Sequence, residues 1–194
     1  MSGFIGLTGG LGAGKSTALA ALQRLGAATL STDAVVHELY ETDEVRDLVV
    51  QRFGPEVLRS GEIDRSAVAQ RAFANPQDRA WLEEMFWPRV GARIVAWRRQ
   101  LEDCSPPPRA VVVEVPLLFE AGMEMGFDAT IAVITDEQLR GQRAAGRAHQ
   151  ALTERSARQL PQAEKARRAT YAVVNDGTVA ELESKLSAIL DMLS

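Results

Sequence analysis

The amino-acid sequence predicts an α/β protein in which helices cover both faces of a five-stranded parallel sheet, giving three layers. Five short apolar runs alternate with helical patterns along the chain, so the connections should be right-handed crossovers within one sheet. The third run, residues 110–115, has the sequence A-V-V-V-E-V, as expected of a central strand buried on both faces. At 194 residues the chain is long enough for one sizeable core, and we expect a single domain over residues 1–194 with insertions.

The first predicted strand leads into a glycine-rich motif. An apolar run at residues 4–7 precedes G-x-x-x-x-G-K-S, formed by Gly9, Gly14, Lys15 and Ser16, and a helical pattern follows. Glycines let successive N–H groups converge on phosphate oxygens, and the helix points its positive end at the same anion. The motif predicts a nucleoside triphosphate site in which Lys15 reaches the β/γ-phosphates and Ser16 binds Mg²⁺; a plain glycine-rich turn is the alternative. The residues expected to bind the nucleotide here are Gly10, Leu11, Gly12, Ala13, Gly14, Lys15, Ser16 and Thr17.

The second strand is predicted at residues 27–30, and it runs out at Ser31-Thr32-Asp33. A carboxylate at the C-terminal end of a parallel strand faces the ligand crevice of an open sheet. Asp33 is therefore a candidate general base for an acceptor hydroxyl. Aspartate also caps helices well, so a cap for a helix beginning at Ala34 is the alternative interpretation.

Residues 34–104 have a helical pattern between the second and third strands. One helix is predicted from Ala34 to Arg52, a turn at residues 61–65 enters another, and Asn75-Pro76 begins a long helix. The aromatic and apolar stripe of this last helix is more typical of a core than of a ligand surface. Because the stretch is too long for a simple crossover, we expect a substrate-binding insertion at about 34–104.

The last two strands are predicted at residues 129–134 and 171–174. Capping-box patterns follow each of them, at Thr135-Asp136-Glu137-Gln138 and at residues 178–181, and each pattern predicts a helix start. The closing helix has one apolar face. Asn175 and Gly177 follow the last strand at the predicted ligand edge, where a plain turn explains them almost as well.

The charge is unevenly distributed along the chain. The formal net charge is −4, yet residues 139–168 contain eight basic side chains against two acidic ones. An acidic overall balance, without interleaved basic and aromatic residues, argues against nucleic acid and favours the phosphates of a nucleotide. We expect a basic lid at about 138–168 in which Arg143 and Arg147 contact phosphates; a solvated basic helix is the alternative.

Composition limits the cellular setting. No run approaches the roughly 18 apolar residues of a membrane span, and the N-terminus lacks the basic start and apolar segment of a secretory signal. A single cysteine, Cys104, cannot form an internal disulfide, which agrees with a reducing compartment. These features predict a cytoplasmic protein without a membrane partner.

Three classes of nucleotide-binding protein compete for this sequence: a small-molecule kinase, a GTPase-like binding switch and an ATPase motor. The D-x-x-G and N-K-x-D motifs of a switch do not occur, and the central strand ends in Glu114-Val115-Pro116 rather than the acidic pair of a motor. A kinase needs an acceptor site, a base and a water-excluding basic lid. The helical insertion, Asp33 and the arginine-rich segment supply a candidate for each, so a small-molecule kinase is favoured.

The chain resembles the dephospho-coenzyme A kinase family along almost its whole length. The most specific motif is Pro116-Leu117-Leu118-Phe119-Glu120. The other segments that carry the resemblance lie in the same order as in the family, at residues 8–17, 33, 63–65, 73–76, 159–161, 164–165 and 175–177. The chain departs from the family pattern at Ser31, His37, Trp87 and Thr170.

The resemblance implies transfer of the γ-phosphoryl group of ATP to the ribose 3′-hydroxyl of dephospho-CoA, the last step of coenzyme A synthesis. It implies a three-layer P-loop kinase fold with a helical substrate-binding region and a lid, acting as a monomer or weak homo-oligomer. The implied catalytic residues are Asp33, Lys15 and Arg143, with Arg147, Asn175 and Gly177 at the nucleotide. The implied substrate-binding residues are Thr8, Asp33, Arg65, Pro116, Leu117, Leu118 and Glu120. A nucleoside monophosphate kinase, or a kinase of another small metabolite, is the alternative.

Overall fold

A computed structural model describes residues 2–145 and 158–193. The chain divides into two compact units, which are described separately: unit 1 comprises Met1–Ser31 and Arg98–Ser194, and unit 2 comprises Thr32–Trp97. The predicted insertion, about 34–104, covers most of unit 2. Within the described residues the helices and strands are, in chain order, β1 (Gly3–Gly9), α1 (Lys15–Arg24), β2 (Ala28–Ser31), α2 (Thr32–Tyr40), α3 (Asp43–Phe53), β3 (Leu58–Arg59), β4 (Glu62–Ile63), α4 (Arg65–Ala74), α5 (Pro76–Glu102), β5 (Ala110–Glu114), β6 (Ala129–Ile134), α6 (Glu137–Ala145), α7 (Gln162–Arg168), β7 (Tyr171–Val174) and α8 (Val179–Met192).

Unit 1 is built on a five-stranded sheet with the order β2-β5-β1-β6-β7. Every neighbouring pair is parallel, and β1 lies at the centre between β5 and β6. All five residues of β5 are buried, as its apolar sequence requires. The predicted α/β class and the five-stranded parallel sheet are therefore confirmed.

The two faces of β1 carry different layers, because side chains alternate along a strand. Ile5 and Leu7 face a core formed with α1 and α8, to which α8 contributes Leu182 and Leu186. On the other face, Gly6 lies against Leu118 and Phe127, and Thr8 is bonded to the buried Lys165 of α7. Helices α1 and α8 therefore cover one face of the sheet, and α7 covers the other.

Unit 2 has its own apolar core around α3 and α5. The buried residues of this core are Val45, Val49, Phe53, Val57, Val68, Met85 and Phe86. Trp81 packs edge-on against Phe53, with 5.7 Å between ring centroids, so the aromatic stripe of α5 is mainly core as predicted. Trp87 differs, since it is 55% exposed.

Three local predictions are right about the presence of a helix and need correction in detail. The helix predicted from Ala34 to Arg52 is two helices, because the Thr42 hydroxyl accepts a hydrogen bond from the Val45 amide and starts α3 anew. The turn around Gly61 joins a short antiparallel hairpin, β3–β4, whose two-residue strands are too short to show an alternating pattern. Helix α6 is capped by Asp136, whose carboxylate accepts bonds from two amides of the first turn, and not by Thr135.

Candidate active site

The carboxyl ends of the parallel strands of unit 1 lie at one edge of the sheet, where an open α/β fold binds its ligands. Strand β1 ends at Gly9 and continues as the phosphate loop, residues 9–16. Strand β5 ends at Glu114 and leads to the β5 loop, residues 116–120. Strands β6 and β7 lead to Thr135 and Asn175. The motifs singled out in this part of the sequence are thus brought to the same edge.

The phosphate loop has the backbone that its glycines permit. Gly12 and Gly14 have φ values of 79° and 93°, in the left-handed region that favours glycine. Gly14 directly precedes α1, so Lys15 and Ser16 form the first turn of that helix, where amides and the helix dipole favour an anion. The Ser16 side chain is exposed, and the Lys15 ammonium donates to the Gly10 carbonyl at 3.3 Å.

Two side chains from later segments hold this loop in place. The buried Asn175 amide donates to the Ala13 carbonyl at 2.9 Å, and the Leu11 amide donates to Gln159 Oε1 at 3.0 Å. Asn175 was predicted at the nucleotide, and the structure attaches it to the loop itself. Gln159 was missed as a site residue, although it belongs to one of the segments that carry the family resemblance.

A polar network at the start of α6 lies beside the same loop. The buried Gln162 amide bonds both backbone groups of Thr135 at 3.0 Å and donates to Glu137 at 2.9 Å. This bond from Gln162, more than the ion pair with Arg140, lowers the pKa of Glu137. The Arg140 carbonyl lies 2.6 Å from where a Cβ on Gly12 would stand, so only glycine fits there. Gln162 was missed as a site residue.

The β5 loop is held by an ion pair in the interior of unit 1. The ammonium of Lys165, which is fully buried, lies 2.9 Å from Glu120 Oε1 and donates to the Pro116 carbonyl at 2.9 Å. Glu120 also accepts a bond from the Leu160 amide at 2.7 Å. Burial is the main cause that lowers the pKa of Lys165, and Glu120 opposes it. Of the predicted substrate-binding residues in the loop, Pro116 and Leu118 are buried, whereas Leu117 and Glu120 are partly exposed.

A second polar pair joins the ends of β2 and β5. The Ser31 hydroxyl donates to the buried Glu114 carboxylate at 2.7 Å, and the two residues are register partners in the sheet. From the sequence, Ser31 was predicted to lie at the end of the second strand and to depart from the family pattern. The bond shows that its hydroxyl contacts an acidic strand end of unit 1.

The remaining predicted residues lie in unit 2, in the predicted lid segment or after β7. Asp33 is exposed and is the second residue of α2, which begins two residues earlier than predicted. Arg65 is exposed and begins α4, after a cap by Asp64. Arg143 is part of α6, and Arg147 lies outside the described residues. Gly177 leaves room for the Glu181 carboxylate of the confirmed capping box at the start of α8.

Comparison with known proteins identifies the family. The dephospho-CoA kinase family model matches residues 3–181. The chain belongs to the dephospho-CoA kinase family. It is 38% identical to the dephospho-CoA kinase of Deinococcus radiodurans, over 97% of this chain and 91% of that protein. It is 35% identical to the dephospho-CoA kinase of Protochlamydia amoebophila, over 97% and 95%.

A solved structure matches the fold of the whole chain. The crystal structure of TT1252 from Thermus thermophilus matches with a TM-score of 0.81 and 32% identity, over 100% of this chain and 98% of that one. The resemblance predicted from the sequence is confirmed, and so is the P-loop kinase fold. Within the described residues, no helix has the length and apolar character needed to cross a membrane.

Proposed function

We propose that the chain phosphorylates the ribose 3′-hydroxyl of dephospho-CoA with ATP, yielding coenzyme A and ADP as the last step of coenzyme A biosynthesis. The observation that carries the proposal is the match of the dephospho-CoA kinase model to residues 3–181, a range that contains the whole phosphate loop. We also propose that the enzyme acts in the cytoplasm on this small-molecule substrate, without nucleic acid, as a monomer or weak homo-oligomer.

The phosphate loop fits the triphosphate of ATP. The loop leads directly into the N-terminus of α1, whose first turn favours an anion, and the Lys15 ammonium lies 3.3 Å from the Gly10 carbonyl of the same loop. In the proposed role Lys15 moves to the β/γ-phosphates and stabilises the charge that spreads over the transferring group. Residues 10–17 supply the remaining contacts, and Asn175 supports them through the Ala13 carbonyl.

Ser16 fits a metal that the nucleotide brings with it. In the described ranges 2–145 and 158–193, no group of three or more His, Cys, Asp and Glu side chains could hold an ion. A hard cation that keeps several waters needs only one hydroxyl and the phosphates, which suits Mg²⁺ at the exposed Ser16 side chain. Bound there, Mg²⁺ would neutralise charge on the phosphates.

The lid stays a proposal, with Arg143 and Arg147 contacting phosphates and helping to exclude water. We propose that it ends before α7, because Gln162 and Lys165 of that helix are buried in unit 1. Arg168, at the end of α7, would then have a structural role. Its guanidinium lies 4.9 Å from the centre of the Phe119 ring and forms an ion pair with Glu124.

For the acceptor, we propose that Asp33 is the general base and that Arg65 and the β5 loop contribute to binding. A ribose hydroxyl is a poor nucleophile at pH 7, and a carboxylate that orients it and takes its proton is worth about 10²- to 10⁴-fold in rate. Support comes from the position of Asp33 two residues after β2 and from its exposure. Leu117 of the β5 loop is partly exposed, whereas Leu118 of the same loop and Thr8 of β1 are fully buried.

The reaction is tested by following ADP release from purified protein and ATP with dephospho-CoA, adenosine, AMP, CMP or shikimate as acceptor. We expect turnover with dephospho-CoA and the phosphate on its ribose 3′-oxygen, as assigned by phosphorus NMR of the product. Turnover with AMP or CMP and none with dephospho-CoA would make the chain a nucleoside monophosphate kinase instead.

The base is tested with Asp33→Asn, because asparagine keeps the size of the side chain in the first turn of α2 but cannot accept the proton. We expect kcat to fall by about two orders of magnitude or more, with unchanged melting temperature and near-normal ATP affinity. Glu114→Gln is the comparison variant, since the Glu114 carboxylate accepts from Ser31 in the sheet. If Asp33→Asn keeps most of its kcat while Glu114→Gln loses it, the base is Glu114.

A further inference from the structure

The Lys165 ammonium is fully occupied by protein acceptors. It donates to Thr8 Oγ1 at 3.3 Å, to the Pro116 carbonyl at 2.9 Å and to the Glu120 carboxylate at 2.9–3.2 Å. A lysine ammonium has three N–H donors, so these three partners use all of them. Lys165 therefore has no donor left for a substrate, and its effect on the reaction has to pass through the groups that it holds.

These groups belong to separate parts of the site. Thr8 directly precedes the phosphate loop, while Pro116 and Glu120 are the first and last residues of the β5 loop. Thr8 also donates to the Pro116 carbonyl at 3.3 Å, and Glu120 accepts from the Leu160 amide. One buried ammonium thus pins both ends of the β5 loop to the strand that carries the phosphate loop.

A buried ion pair contributes little net free energy to folding. Lys165 is 0% exposed and the Glu120 side chain 13% exposed, so both charges lose most of their hydration on folding. Replacing such a pair by neutral side chains of similar size is often neutral or stabilising. What neutral side chains cannot reproduce is three directional bonds to three fixed oxygens, which determine the shape of the loop.

We propose that Lys165 is a positioning residue for the acceptor: it holds the β5 loop in the shape in which the loop binds dephospho-CoA. The inference rests on the proposed function. Leu117, between the two pinned ends, is partly exposed, while its neighbours Leu118 and Phe119 are buried, so Leu117 is available to contact the acceptor. Small errors in substrate placement are costly, since a displacement of about 1 Å can reduce turnover by about 10²-fold.

The test is Lys165→Met, which keeps an unbranched apolar side chain one heavy atom shorter than lysine and removes the three donors. We expect KM for dephospho-CoA to rise by about tenfold or more, because the β5 loop is released. KM for ATP should change by less than about twofold, since the bond from Asn175 to the Ala13 carbonyl holds the phosphate loop and does not involve Lys165 or its partners. Wild-type turnover with dephospho-CoA is measured first, and its absence would refute the proposed function rather than the role of Lys165.

Leu186→Ala is the matched control for stability. Leu186 is fully buried in the core between the sheet and α8, on the face of the sheet opposite to Lys165. This variant should lower the melting temperature and leave both KM values unchanged. If Lys165→Met behaves in the same way, or raises both KM values equally, Lys165 is structural and the proposal is wrong.

A second variant covers the case in which a single substitution leaves Glu120 buried without its partner and prevents folding. The double variant Lys165→Met with Glu120→Gln removes both charges and should fold. We expect its KM for dephospho-CoA to be raised as in Lys165→Met alone, because the two residues act as one unit and their effects do not add. A folded double variant with wild-type KM for dephospho-CoA would overturn the proposal.

Discussion

The phosphate loop tolerates no side chain at Gly14, and Gly14→Ala tests this directly. Gly14 has a φ of 93°, and a Cβ built there would lie 2.1 Å from the Asn175 Nδ2 atom. That nitrogen is the donor to the Ala13 carbonyl. An alanine therefore has to adopt a left-handed backbone and also displace the side chain that holds the loop.

The two costs can be worked out separately. An L-residue in the left-handed region costs roughly 1–2 kcal/mol relative to glycine. Losing the bond from Asn175 to Ala13 costs about 1 kcal/mol more. The total of about 2–3 kcal/mol corresponds to roughly 30- to 150-fold in an equilibrium constant. If the loop of the variant relaxes to another shape, ATP binding has to restore the strained shape, and the cost of about 2–3 kcal/mol lowers the affinity for ATP. If the loop keeps its shape, the same cost lowers the free energy of unfolding.

Isothermal titration with ATP and urea unfolding measure both parts on the same variant. The matched control is Gly91→Ala in α5, where no heavy atom lies within 4 Å of the new Cβ. This control should be more stable than the wild type by about 0.5–1 kcal/mol, because alanine is the better helix residue. In an Asn175→Ala background, Gly14→Ala should lose only the backbone part of its cost. Wild-type ATP affinity and wild-type unfolding free energy in Gly14→Ala would refute this reasoning.

Three further predictions follow from single contacts. Lys15→Ala should lower kcat by at least about 10²-fold, because the transferring phosphate loses a charge partner, and the melting temperature should stay unchanged. Undiminished activity in the ADP-release assay would contradict this. The Thr178 hydroxyl caps α8 by accepting a hydrogen bond from the Glu181 amide at 3.2 Å. Thr178→Ala should therefore lower the free energy of unfolding in urea by about 1 kcal/mol and leave KM for ATP and KM for dephospho-CoA unchanged. Burial lowers the pKa of Lys165 below its ordinary value of 10.5, so between these two values the unfolded chain binds more protons than the folded chain. The free energy of unfolding relative to Lys165→Met should therefore rise with pH up to 10.5 and fall as the pH drops through the lowered pKa. A pH-independent difference in urea unfolding would contradict this.

Much of unit 1 could be predicted because its signals are local. The apolar runs that become β5 and β6 are buried strands, and the capping box at Thr178 is present with both of its bonds. The break between α2 and α3 was missed, because the acidic outward pattern continues through it and a single threonine cap decides it. Hairpin β3–β4 was missed because two residues per strand carry no period.

The candidate site also has a part that local sequence predicts and a part that depends on distant contacts. Motif spacing was enough to predict the phosphate loop, since its glycines and Lys15 act within eight consecutive residues. The partners of the loop come from 148 and 162 positions away, in Gln159 and Asn175, and no local pattern announces such contacts. Asp33, Arg65 and the arginine pair of the lid stay predictions.

The sequence by itself determined the α/β class, the parallel sheet, the nucleotide motif and, through its resemblance, the family. Only the tertiary structure decided what holds the site in shape. Thr8, the ends of the β5 loop and Lys165 are separated along the chain by up to 157 positions, yet they meet in one buried cluster. The physical reason is that a strand or a phosphate loop depends on neighbours in the chain, whereas a buried charge is satisfied only by groups that folding brings to it.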